Sequence, residues 1–153
     1  MRIPALVLAF ALAAPAAVFA APVSEVHVTI GPKLESKAHD YGQKDIDFLT
    51  KDLKEHIESV LRARHQLGGG GRLEVVIEDA TPNRPTFAQL GRNPSLSMRS
   101  VGIGGATIRG HLGGTEVNYS FWEDDIRNER GAATWSDAER AFDGFAHRVA
   151  DAH

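Results

Sequence analysis

The stretch Ser100–Gly110, "SVGIGGATIRG", places glycines at 102, 104, 105 and 110. Its centre has two incompatible readings: a loop that wraps a phosphate, or a strand that needs bare backbone. The dinucleotide fingerprint requires a helix directly after its glycines. Here Ala106, Ile108, Gly110 and Leu112 fall on one parity and Thr107, Arg109 and His111 on the other. That alternation is the period of a half-buried strand. A strand is therefore expected, and no cofactor.

Working outward, Gly113-Gly114 supplies a two-residue hairpin turn, and Thr115–Trp122 alternates Val117, Tyr119 and Phe121 against Glu116, Asn118, Ser120 and Trp122. Pairing Leu112 with Thr115 sets Gly110 against Val117, Ile108 against Tyr119 and Ala106 against Phe121 on the buried face. The same register sets His111 against Glu116, Arg109 against Asn118, Thr107 against Ser120 and Gly105 against Trp122 on the polar face. The Trp122 ring then covers the bare backbone of Gly105. Val101 and Ile103 have the opposite parity, so bringing them into the core requires a bulge at Gly104 or Gly105.

Towards the N-terminus, "SEVHVTI" (Ser24–Ile30) alternates as a strand and stops at Gly31-Pro32. A polar segment follows. From Asp45 to Leu67, apolar residues at steps of three and four (Ile46, Leu49, Leu53, Ile57, Val60, Leu61 and Leu67) predict an amphipathic helix. Gly68 is its expected left-handed stop. The run Gly68–Gly71 follows that helix and does not precede one, so it reads as a flexible turn and not a phosphate loop. Arg72–Glu78 is the next strand.

A connection from Asp79 to about Ser100 carries Pro82, Pro85 and Pro94. Its four large apolar residues, Phe87, Leu90, Leu96 and Met98, argue for order. "PTFAQL" is expected to form one helical turn that lids the core. A last helix begins at Ser136, with Ser136 and Glu139 as a capping box and a stripe of Ala138, Ala141, Phe142, Phe145 and Val149. The fold class that follows is α+β: a two-layer sandwich of order β-α-β-β-β-α, with a mixed sheet of about four strands and two helices on one face.

Arg2 followed by an apolar run to Val18 and small residues at Ala20-Ala21 reads as a secretory signal peptide over residues 1–20, cleaved after Ala20. The remaining chain, 22–153, is long enough for a single domain. It has no cysteine, so neither disulfides nor a lipidated N-terminal cysteine hold or anchor it. The expected location is the periplasm or outside the cell, without a stable membrane anchor. The formal net charge of −3 is mild, and no nucleic-acid partner is expected.

Charge is distributed unevenly. Ala80–Thr115 holds Arg84, Arg92, Arg99 and Arg109 and no acid, whereas Glu116–Asp151 holds nine carboxylates against four arginines. The open face of the sheet is expected to show Glu25, His27, Glu74, Arg109, His111, Glu116, Asn118 and Trp122. Such a face is either a solvated surface or a binding surface led by Arg109 and Trp122. His27, His111 and Glu116 would offer metal ligands if the first strand neighboured the hairpin. Glu123-Asp124-Asp125 lacks the glycine-punctuated spacing of a calcium loop and reads as a solvated turn. His56-Ile57-Glu58 lacks the cysteines a zinc deaminase needs. Gly-x-Ser-x-Gly, Ser-x-x-Lys and His-Glu-x-x-His are absent from the sequence. Asn118-Tyr119-Ser120 falls inside a predicted strand, which argues against glycosylation there.

Taken together, "VHVTI", "LEVVIEDATPNRPTF", "GIGGATIRG", "VNYSFWEDDIR" and "TWSDAERAF" resemble small exported bacterial proteins grouped as domains of unknown function. The resemblance implies a periplasmic protein and carries over no catalytic residue. The expected function is a non-catalytic module that binds an envelope component or a protein through the loop Pro82–Ser100, with Arg84, Arg92 and Arg99 as contacts. The alternatives are a metal-assisted hydrolase using His27, His111 and Glu116, and a structural or assembly protein.

Overall fold

A computed structural model of the chain describes residues 22–129 and 131–152. The expected signal peptide, 1–20, lies outside them. The element order is β1 (Val23–Ile30), α1 (Pro32–Tyr41), α2 (Gln43–Ala63), β2 (Leu67–Thr81), α3 (Phe87–Arg92), β3 (Gly105–Leu112), β4 (Thr115–Trp122), a 3-10 turn (Ile126–Glu129) and α4 (Ser136–Asp151). The four strands form one sheet in the order β1-β2-β3-β4. β1 runs parallel to β2, and the other two pairings are antiparallel. The architecture is α+β with a mixed sheet, as the periodicities predict.

The hairpin has the expected register, from Leu112 opposite Thr115 to Gly105 opposite Trp122. One face of the sheet carries Leu73, Val75, Ile77, Ala106, Ile108 and Val117, all buried. Against it lie α2, over β1, and α4, over β3 and β4, and the two helices also pack on each other. Their stripes of Leu49, Leu53, Ile57 and Leu61, and of Ala138, Ala141, Phe142, Phe145 and Val149, close the core. Burying a full side chain of this kind contributes about 1.5–3 kcal/mol, which is how a chain without disulfides holds together.

The glycines of the deciding stretch are explained by close approach. Gly105 has φ +153°, and a Cβ there would stand 2.8 Å from Trp122 Cδ2 and overlap the Phe121 carbonyl oxygen. A Cβ on Gly104 would stand 2.7 Å from Asn83 Oδ1. One backbone site thus admits an indole, and the next admits a buried amide.

Several local expectations are corrected. Val101 and Ile103 do not reach the core: both precede β3 and are 41% exposed. The extra residue of the ladder lies on the other strand, where Ile77 opposes Ile108 and Asp79 opposes Thr107, leaving Glu78 unpaired. Gly68–Gly71 is not a turn but the start of β2, held by Gly71 N–H donating to Pro22 O at 3.1 Å. Helix α2 ends earlier than expected, at Ala63. His65 takes the left-handed conformation (φ 57°) and Gln66 N–H donates to Leu61 O at 2.8 Å, a Schellman closure without glycine.

The polar segment after Pro32 is a helix, α1, with Pro32 in its first turn and Leu34 and Tyr41 buried. The proline that ends β1 also starts α1, because its fixed φ suits a helix's first position. The turn within "PTFAQL" is present, capped reciprocally by Thr86 and Gln89, but Phe87 faces out and lids nothing. At α4 the expected Ser136–Glu139 box is absent. Trp135 is the cap residue, and Ser136 Oγ instead accepts the Ala133 amide at 2.8 Å. The first-turn amide of Asp137 is satisfied from far away in sequence, by Asn83 Oδ1 at 3.0 Å.

Candidate functional site

Because β2 lies between β1 and β3, the polar face is built in rows across the strands. His27, Glu74, His111 and Glu116 form one such row. His27 Nδ1 is 2.7 Å from Glu74 Oε2, Arg72 Nε is 2.9 Å from Glu74 Oε1, and His111 Nε2 is 3.5 Å from Glu116 Oε2. Arg109 pairs with Glu78. The expected trio of His27, His111 and Glu116 is therefore spread over three strands with Glu74 intervening. Strand spacing alone sets His27 and His111 about 9–10 Å apart in backbone, and His27 spends a ring nitrogen on Glu74.

Trp122, 39% exposed, lies over Gly105. Its indole N–H reaches Ser120 Oγ at 3.0 Å and Thr107 Oγ1 at 3.2 Å. It completes the hairpin. A broad depression of about 700 Å³ beside it takes in Glu78, Arg109, Glu116, Asn118 and Arg148. Its two arginines are engaged: Arg109 with Glu78, and Arg148 with the Asn118 carbonyl at 3.0 Å.

The long loop between β2 and β3 is organised around Asn83, which is fully buried. Its N–H donates to Thr134 O and its carbonyl accepts the Gly102 amide, each at 2.8 Å. Its side-chain amide donates to Asp137 Oδ2 at 2.5 Å and to the Glu129 carboxylate. The loop's base is thereby tied to the segment before α4 at several points.

Of the expected arginine contacts, Arg84 turns back into the loop, with Nε on Ala132 O at 2.5 Å and Nη1 on Met98 O at 3.3 Å. Arg92 reaches the Asp40 carbonyl of α1 at 3.1 Å. Arg99 is exposed, and among the described residues its guanidinium makes no hydrogen bond. The same segment exposes Phe87 by 81% and Met98 by 60%. Between the loop and α1 lies a cleft of about 240 Å³ lined by Tyr41, Pro82, Arg84, Gln89, Leu96 and Val101.

Behind the loop sits a constellation that sequence reasoning missed. Carboxylate oxygens of Glu123, Glu129 and Asp137 lie within 4.8 Å of one another. Glu129 and Asp137 are buried. Glu123 is not solvated as expected: its side chain is 9% exposed, and Oε1 accepts the amides of Asp124 (2.9 Å) and Asp125 (3.2 Å) and Asn128 Nδ2 (3.1 Å). Those bonds hold its carboxyl below the ordinary range, led by the one from Asn128. Arg140 Nη1 stands 3.3 Å from both Glu123 and Asp137. Burial, and then the charge of Asp137, push the Glu129 carboxyl up. Glu129 Oε1 is buried without a hydrogen-bond partner.

Only one local signal pointed here: Asp137 in the first turn of a helix, where a carboxylate is favoured. Its partners are remote in sequence, and a turn rich in acids reads as solvated when taken alone. Among the described residues, no helix is long and apolar enough to cross a membrane. No protein-family model, curated protein or solved structure matches this chain.

Proposed function

We propose that this chain is a non-catalytic binding module exported to the bacterial cell envelope, and that it engages a protein partner through the β2–β3 loop. The observation that carries this reading is a loop anchored at its base by hydrogen bonds, with apolar side chains turned outward. Asn83, Thr86 and Arg84 fix its backbone from within, while Phe87, Met98, Val101 and Ile103 remain exposed. A pre-ordered surface loses little conformational entropy on binding, and large apolar or sulfur side chains supply the contact energy. Arg99, exposed in the same loop, adds a positive charge to that surface.

This reading shifts the binding energy from the arginines to the apolar residues, since Arg84 and Arg92 are occupied within the molecule. A photo-crosslinking side chain at position 98 tests it in envelope preparations. One recurring adduct is expected from position 98 and none from position 51, on the outer face of α2. The adduct is lost on Phe87→Ser with Ile103→Ser and retained on Arg92→Ser. Adducts insensitive to the apolar substitutions would refute the reading. Export is checked separately: N-terminal sequencing of the fractionated protein is expected to begin at Ala21.

A further inference from the structure

We infer that Glu123, Glu129 and Asp137 form a binding site for a hard divalent cation such as calcium, at the junction of the 3-10 turn, α4 and the β2–β3 loop. The inference stands independently of the partner-binding reading.

The donor set is entirely carboxylate oxygen, without nitrogen or sulfur, which selects hard cations over zinc or copper. All three ligand atoms fall within 4.8 Å of one another. Calcium–oxygen distances of about 2.3–2.6 Å give a coordination shell about 4.6–5.2 Å across, so three such atoms fit on one ion.

A second observation points to a missing partner. Glu129 is 2% exposed, its Oε2 accepts from Asn83, and its Oε1 is buried with no hydrogen bond. A buried polar atom of that kind is costly, and native structures rarely leave one. Around it the charges do not balance: three carboxylates face one guanidinium, that of Arg140. A divalent cation would offset this excess of negative charge and give the idle oxygen a partner.

Arg140 is half exposed, and its two contacts at 3.3 Å are long, so its guanidinium can leave for solvent when the ion enters. Asn83 remains in place, since its Oδ1 is committed to the Asp137 amide, and it orients both buried carboxylates as a neutral positioning residue. Ion binding would couple the segment 123–137 to the base of the exposed loop.

The experiment is calorimetric titration of the purified, chelator-treated protein with calcium chloride, paired with thermal unfolding. One saturable site per chain is expected, with a dissociation constant on the order of 10⁻⁴ M, together with a rise in melting temperature. Glu129→Gln keeps the fold, checked by circular dichroism, and weakens binding by about tenfold or more, because it removes one ligand charge. Arg140→Gln, at an exposed position, tightens binding by removing the competing cation. Absence of binding in the unsubstituted protein, an affinity unchanged by Glu129→Gln, or weaker binding in Arg140→Gln would overturn the assignment.

Discussion

Asn83 and Asp137 bind each other in both directions across 54 residues of sequence: Asn83 Nδ2 donates to Asp137 Oδ2 at 2.5 Å, and Asn83 Oδ1 accepts the Asp137 backbone amide at 3.0 Å. One side chain thereby completes the first turn of α4, anchors the β2–β3 loop and donates to one oxygen of each of two buried carboxylates. Such a network is strong when complete and expensive when broken.

Asn83→Ala is expected to destabilise the protein by about 3 kcal/mol, because it removes the side-chain donor of buried Glu129, one of the donors to Asp137 and the acceptor of the Asp137 amide. Urea denaturation checks this as a lower midpoint at unchanged slope. Unaltered stability would show that the amide is not the keystone of the loop.

Gly105→Ala is expected to cost about 2 kcal/mol or more, through its φ of +153° and the overlap of the new Cβ with Trp122 and the Phe121 carbonyl oxygen. Adding Trp122→Ala should not restore the loss, since the Phe121 atom is backbone. Recovery in the double variant, measured by thermal melts, would place the cost in the indole alone.

Asp79 gives the fold an acid sensitivity of definite sign. Burial acts to raise its carboxyl, but hydrogen bonds from Lys33 and Lys37, each at 2.6 Å, outweigh this and hold it below the ordinary range. The unfolded chain then binds more protons in that window, so the stabilisation is present above the unfolded value of about 3.9 and fades as pH falls through the folded one. Stability measured from pH 7 down to pH 3 should fall more steeply for the natural protein than for Asp79→Asn. Parallel curves would contradict the pairing.

Phe87→Ser and Met98→Ser, alone or combined, should change stability by no more than about 0.5 kcal/mol each, because both side chains are largely in solvent. Chemical denaturation distinguishes this from a core role: a loss of 2 kcal/mol or more would mean that the loop folds onto the protein.

The resistance of some features to sequence reading has a physical pattern. The β3–β4 register was legible because a tight turn at Gly113-Gly114 leaves only one alignment in which both faces match. The stripes of α2 and α4 were legible because helical periodicity is local. Helix α1 was obscured because only Leu34 and Tyr41 are buried among its ten residues, too few to set a period. The glycines at 68–71 resembled a turn because nothing local reveals that Pro22 and Ser24 offer them hydrogen bonds.

Sequence by itself determined the α+β class, the hairpin and its pairing, and the two stripes that cover the sheet, since each rests on a repeat that a few neighbouring residues define. Only the tertiary structure decided which polar groups leave water. Asn83, Glu129 and Asp137 come from separate segments, and their burial follows from where the β2–β3 loop and the start of α4 meet. Desolvation is a property of the assembled surroundings and not of the residue, so carboxylates that read as solvent-facing one at a time become, together, a buried cluster.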